Sequence, residues 1–386
     1  MIKTKSPVIY LYLYILVSLS LWFSQSTLNY NFSYGAIVII VAYVYFSLGC
    51  FVGVKIRIYE QGGNYRSVHN LQKINTLIRF LTAINIIILI YLGLLFRDII
   101  SQVASLNDYR SSLFKDQSIK DYYGSFAAYL FVYATIVPLF GISYGLYLKI
   151  NKNQKSILFM SFMLLTAKEA ILISRYYVFA PVLAAILLLY CYDNKMTKKK
   201  VIMLVSIFTF LLLIMFIFRG ESDVSSNIIN ARNYVIAGYS LLSNVIDSKD
   251  LNVFYDLSSP FSFLGILGTR FYDQTPFFAK VQEFVYLGNG GYFNAFYTSL
   301  LFPFLYFGAA GLSLLSLGYG FLISINHKKF ISKNRFINFN TLFALLVIFF
   351  SHQFLPVQLS FFWDYLLISL SMHLIVICVD NIRDHL

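Results

Sequence analysis

Apolar residues run through this chain in ten long stretches separated by short polar or basic segments. They lie near 8–24, 35–54, 80–97, 124–148, 156–173, 176–192, 200–218, 296–325, 338–355 and 361–379. Crossing roughly 30 Å of hydrocarbon takes about 20 residues of helix. The pattern therefore predicts about ten transmembrane helices. The stretch 156–192 is too long for one crossing and is interrupted by Lys168, Glu169 and Arg175, so a tight hairpin is expected there. The stretch 296–325 is also long, and Pro303 is expected to kink or break its first part. The first stretch follows Lys3 and Lys5 and lacks a small-x-small cleavage pattern, which reads as a retained anchor.

Charge sets the direction of these helices. With the amino terminus in the cytoplasm, the inner segments hold 19 of the 30 Lys and Arg against four acids, and the outer ones hold 11 basic and 13 acidic residues. Basic residues concentrate on the cytoplasmic side of membrane proteins. Both termini are thus expected in the cytoplasm, with residues 219–295 as a large periplasmic loop between helices 7 and 8. The expectation is an all-α polytopic membrane protein forming a single membrane domain over 1–386.

Composition strengthens this picture. The chain is 59% hydrophobic and 12% charged, with a mean hydropathy of +0.70. Soluble domains carry about 25% charged residues. The net charge of +13 would point to nucleic acid in a soluble protein, but its placement in the inner loops marks orientation instead, so no nucleic-acid partner is expected. Cys50, Cys191 and Cys378 all fall near inner helix ends or in the last helix, which argues against a disulfide framework or a cysteine-based metal site. No phosphate-binding glycine loop, GxGxxG or HExxH is present, so neither a metal nor another cofactor is expected.

Loops between packed helices are usually short. Residues 219–295 are not, and they interleave Tyr, Phe, Asn, Arg and Asp. Ile228, Val235, Leu242 and Val245 recur at helical spacing, with Arg232, Asn233 and Ser240 on the polar side, so an amphipathic helix near 227–246 is expected on the outer membrane surface. Arginine forks bind phosphate oxygens, and aromatic faces with Asn and Asp suit sugars. A lipid-linked pyrophosphate sugar combines the two.

Several stretches resemble the Wzy-type oligosaccharide repeat-unit (O-antigen) polymerases of bacterial inner membranes. These are Ser174-Arg175-Tyr176-Tyr177, Phe218-Arg219-Gly220 before the long loop, and Asn294-Ala295-Phe296-Tyr297-Thr298. Tyr306-Phe307-Gly308-Ala309-Ala310-Gly311, with Gly318 further on, resembles the family's Asp-Phe-Gly-x-x-Gly step; Tyr306 stands where the family often has Asp. The resemblance implies glycosyl transfer at the periplasmic face, in which the growing glycan leaves undecaprenyl pyrophosphate and joins the terminal sugar of a fresh lipid-linked repeat unit. It implies undecaprenyl-pyrophosphate-linked oligosaccharide as substrate, with the bilayer, a chain-length regulator and a flippase as partners. A related O-antigen ligase, or a lipid-linked oligosaccharide flippase, is the alternative.

On that reading Arg175, Arg219, Arg232 and Arg270 are candidates for the pyrophosphate, with Lys168, Asn294 and Thr298 as further substrate contacts. Fixed arginines stabilise a leaving pyrophosphate without a metal, Arg219 among them. One base would activate the acceptor hydroxyl; the candidates are Glu221, Asp223, Asp273, Glu283 and His352. Glu221-Ser-Asp223 resembles the paired acids of lipid-dependent glycosyltransferases, which carry theirs in the first outer loop, here without an acid. The structural alternatives are helix-end arginines that reach the interface, solvated loop acids, Lys168 and Glu169 paired with Arg175, and Gly308, Gly311 and Gly318 as helix-packing glycines.

Overall fold

A computed structural model describes residues 5–24, 33–56, 67–101, 119–171, 176–206, 238–247, 252, 284–286, 292–294, 300–351 and 365. The described helices are α1 Pro7–Phe23, α2 Tyr34–Lys55, α3 Ser67–Ile100, α4 Ile119–Lys152, α5 Ser156–Ile171, α6 Tyr176–Tyr192, α7 at 198–206, α8 at 238–247, α9 Leu301–Lys333 and α10 Phe336–Ser351. The stretches expected at 8–24, 35–54, 156–173 and 176–192 agree with α1, α2, α5 and α6 to within two residues at each end. Helices α3 and α4 begin earlier than the apolar runs within them. Of the last stretch, 361–379, only Tyr365 is described.

Among the described residues, four helices are long and apolar enough to cross a membrane: Tyr34–Lys55, Ile74–Ile100, Tyr129–Lys152 and Phe304–Ser332. Shorter apolar helices are Pro7–Phe23, Val178–Tyr192 and Phe336–Phe350. Their outward faces are apolar as well. Ile9, Leu13 and Leu16 of α1, Ile87 and Ile90 of α3, and Phe159 and Met163 of α5 are each more than half exposed. In water such faces would be large unsheltered patches; lipid is the solvent they suit.

The chain divides into two compact units. The first comprises Met1–Arg57, Ile186–Ile331 and Ile348–Ser360. In it α2 and α9 meet along a seam of small residues. A Cβ added at Gly49 would lie 2.7 Å from the Leu317 carbonyl carbon, and one at Gly53 would lie 2.6 Å from Ser324 Cβ. From the other side, a Cβ at Gly320 would lie 3.0 Å from the Cys50 amide nitrogen. Small residues let helix backbones approach closely where lipid supplies no hydrophobic drive. Lys328 donates to the carbonyls of Val54 and Ile56, satisfying acceptors that the end of α2 leaves open.

Helix α8 packs on α1 and α2 through polar contacts. Trp22 donates its indole N–H to Ser240 Oγ at 3.0 Å, the hydroxyls of Tyr43 and Tyr239 lie 2.9 Å apart, and those of Ser33 and Ser243 lie 2.9 Å apart. The Gly35 amide in the first turn of α2 donates to Asp247 at 3.0 Å, a carboxylate at the positive end of a helix dipole. Ser240 thus differs from its expected place on a solvated polar face. It is buried with Tyr239, Leu241, Leu242 and Ser243, because Trp22 supplies its hydrogen bond.

The second unit comprises Ile58–Ala185, Ser332–Val347 and Phe361–Leu386. Helices α4 and α5 form a hairpin closed by three residues. Asn153 takes a left-handed φ of 57°, its amide bonds to the Lys149 carbonyl at 3.2 Å, and the Gln154 amide bonds to the Leu148 carbonyl at 3.4 Å. The 5→1 bond from Asn153 makes this an αL closure with asparagine in the usual glycine position. Gly145 lets α4 meet α5, since a Cβ there would lie 2.5 Å from the Leu158 amide nitrogen. Leu89 and Leu92 of α3, Ala127, Phe131 and Ala134 of α4, and Leu164 of α5 form a shared apolar core. Phe336 of α10 stacks edge-on against Phe140, Tyr144 and Tyr147.

Two expectations for α9 are corrected. The break in this helix falls at Gly308, with φ 61° and ψ −167°, and not at Pro303. Proline close to a helix start loses little, because the first N–H groups have no helical partner, whereas φ and ψ of this kind are essentially restricted to glycine. Nor do Gly308 and Gly318 pack against a described neighbour: among the described residues an added Cβ at either would meet nothing within 4 Å, and at Gly311 it would meet Phe307 of the same helix. The Gly308→Ala variant is expected to lose about 1–3 kcal/mol, read as a lowered melting temperature in detergent, while Gly318→Ala should melt at or above the wild-type temperature.

An antiparallel ribbon departs from the all-helical expectation. Strand β1 (Phe284–Tyr286) pairs with β2 (Tyr292–Asn294), with Val285 opposite Phe293. The residues between include Gly288-Asn289-Gly290-Gly291. Such a run between aromatic segments is a hairpin signal that the search for helical period passes over.

Candidate functional site

Helix α5 buries Ser161, Leu164, Leu165, Lys168 and Glu169, a stripe at spacings of three and four. Its two charged members close the stripe. Lys168 Nζ donates to Glu169 Oε1 at 2.6 Å, and their side chains are 2% and 3% exposed. One turn earlier Leu164 belongs to the core with Leu89, Leu92, Phe131 and Ala134, and one turn later Ile171 packs against it. Withdrawing two charges from water costs several kcal/mol per ion, and only good geometry and further polar contacts offset it. Charged residues at membrane depth face protein interiors and mark functional paths more often than other residues do. Chemically, the pair holds one positive and one negative group in a dry place.

The same unit buries further polar side chains that the sequence reading passed over. Tyr365 donates its hydroxyl to Asn340 Oδ1 at 2.9 Å, and Asn85 donates to the Tyr133 carbonyl at 3.3 Å. Ser143 is fully buried as well. Asn85 stands as a polar residue inside an apolar run, which is the signal that would have found it.

The first unit holds a small, partly open pocket lined by Ala42, Tyr43, Phe46, Leu300, Ser316, Tyr319, Ile348 and Phe349. Its walls are mostly carbon, with the hydroxyls of Tyr43, Ser316 and Tyr319 as polar groups. Elsewhere in this unit the Tyr192 hydroxyl hydrogen-bonds His327 Nδ1.

Of the residues singled out from sequence, Lys168 is described in the buried pair and Asn294 on β2 opposite Phe284. Arg175, Arg219, Arg232, Arg270, Glu221, Asp223, Asp273, Glu283, Thr298 and His352 lie outside the described residues. No group of three or more His, Cys, Asp or Glu comes together among the described residues. Comparison of the chain with protein-family models, with curated proteins and with solved structures gave no match.

Proposed function

We propose that this chain is a multi-pass membrane glycosyltransferase that polymerises lipid-linked oligosaccharide repeat units, similar in kind to the Wzy-type polymerases. On this reading about ten helices span the bacterial inner membrane, both termini face the cytoplasm and residues 219–295 face the periplasm. The observation that carries it is the segment 219–295, an arginine- and aromatic-bearing stretch between apolar runs, which on this reading lies opposite the lysine-rich loops. The apolar outward faces of the helices support membrane residence. The unusual backbone at Gly308 supports a specific role for the glycine in Tyr306-Phe307-Gly308.

The chemistry asks little beyond these groups. As the anomeric bond breaks, charge grows on the departing pyrophosphate, and fixed arginines such as Arg219, Arg175, Arg232 and Arg270 stabilise it. A carboxylate or His352 takes the proton of the acceptor hydroxyl as it attacks the anomeric carbon. Lys168, held by Glu169, positions the hairpin that carries Arg175.

Deleting the gene from its host is expected to collapse surface glycan from long chains to a single repeat unit. Normal chain length would end the assignment, and loss of all attached glycan would reassign the chain as a ligase. Arg219→Ala should lower polymerisation by two orders of magnitude or more, comparable with removing one preorganised oxyanion donor, with membrane insertion unchanged. Full activity in that variant takes Arg219 out of the site.

A further inference from the structure

We propose that one end of the first unit is a docking surface for anionic phospholipid headgroups, built from Lys5, Lys195, Lys198 and Lys199. The inference rests on the membrane reading above and adds a partner to it. Two chain segments far apart in sequence converge there. The Lys5 ammonium lies 3.6 Å over the ring of Tyr190, and Lys198 stands within electrostatic reach of the same tyrosine. The edge of Tyr10 meets Tyr190 at 5.2 Å between ring centroids, and the Lys5 amide bonds to the Cys191 carbonyl at 3.3 Å. Paired tyrosines beside lysines are the composition of headgroup depth.

The lysines sit on a built turn. Asp193 Oδ1 accepts the Lys195 amide at 2.9 Å, the Asp193 carbonyl accepts the Met196 amide at 2.9 Å, and Thr197 Oγ1 accepts the Lys200 amide at 3.4 Å. The Lys200 ammonium turns back to the Lys195 carbonyl at 3.1 Å. Lys5, Lys195, Lys198 and Lys199 are exposed, and among the described residues none of them is ion-paired with a carboxylate. Three consecutive lysines also open α7, at the positive end of its dipole, where anions are favoured and cations are not. The arrangement asks for negative charge from outside the chain.

What stands next to the lysines selects a lipid over a free anion. Ile202 and Met203, one turn beyond Lys198 and Lys199, are 65% and 54% exposed, and Ile9, one turn beyond Lys5, is 57% exposed. The surface therefore offers ammonium groups immediately above apolar side chains. A phosphodiester joined to hydrocarbon matches both parts. Basic clusters beside membrane helices attract anionic headgroups at about 1 kcal/mol per residue, which is about fivefold in affinity per lysine.

The test uses the full chain purified in neutral detergent and native mass spectrometry of retained lipid, with phosphatidylglycerol, phosphatidylcholine and inorganic phosphate as probes. Wild-type protein should retain phosphatidylglycerol over phosphatidylcholine, with inorganic phosphate failing to displace it. The Lys195→Gln/Lys198→Gln/Lys199→Gln variant should lose that preference by about tenfold or more. Lys149→Gln/Lys152→Gln/Lys155→Gln, removing the same charge from the second unit, should keep it. An unchanged preference in the first variant, an equal loss in the second, or displacement by inorganic phosphate would overturn the proposal. A compartment reporter fused after residue 200 separates the two ideas: an outward-facing reporter with lipid preference intact sinks the proposed topology and leaves the surface standing.

Discussion

The Gly49→Val variant is expected to yield little folded protein. A Cβ at this position lies 2.7 Å from the Leu317 carbonyl carbon, and its closest neighbours are backbone atoms that no rotamer change can move. Relief requires α2 and α9 to separate. Overpacking costs about 1–3 kcal/mol when side chains can yield, and more is expected here because the seam would open along Gly53 and Gly320 as well. Lipid does not drive the helices back together, since tails are as apolar as the faces they would cover. Size-exclusion profiles and melting temperatures in detergent check this, with Gly93→Val as the comparison: among the described residues a Cβ at Gly93 meets nothing within 4 Å. A monodisperse Gly49→Val protein melting at the wild-type temperature refutes the seam.

The second large effect concerns the buried pair. Lys168→Met removes the ammonium 2.6 Å from Glu169 and leaves the carboxylate in a site where the paired side chains are 2% and 3% exposed. Removing one partner of a buried ion pair costs on the order of 3–5 kcal/mol, whereas replacing both by apolar groups of similar volume is often neutral. Lys168→Met and Glu169→Gln should each lower the melting temperature strongly, and Lys168→Met/Glu169→Leu should regain most of the loss. If the double variant loses as much as the two single ones combined, the two side chains do not act as a pair. The double variant also separates roles: a stable protein that has lost the proposed polymerase activity assigns the charges to function rather than to folding.

The helices were legible because run length alone marks them, as at α1, α2, α5 and α6. Which face of each helix packs was not. Where both lipid and protein neighbours are apolar, hydrophobic spacing no longer points inward, so Ser240 looked like a surface residue until Trp22 was found against it. The glycines show the same limit. Gly49, Gly53 and Gly320 matter because of the helix opposite them, and nothing in their own neighbourhood distinguishes them from Gly318. The break at Gly308 was assigned to Pro303 because proline is the stronger local signal, yet proline near a helix start is harmless. Of the site, Lys168 was visible as a charge within an apolar run. Its bonded carboxylate is the next residue, a spacing at which helical side chains do not ordinarily face each other.

The three-residue link between α4 and α5 bears on biogenesis. So short a connection delivers the two segments to the translocation machinery as one hairpin, each already beside its partner. A charged residue at the centre of an inserting helix costs roughly 2.5–3.5 kcal/mol. Because Lys168 and its neutralising neighbour travel on the same segment, their mutual cancellation is available before any other part of the chain has been synthesised.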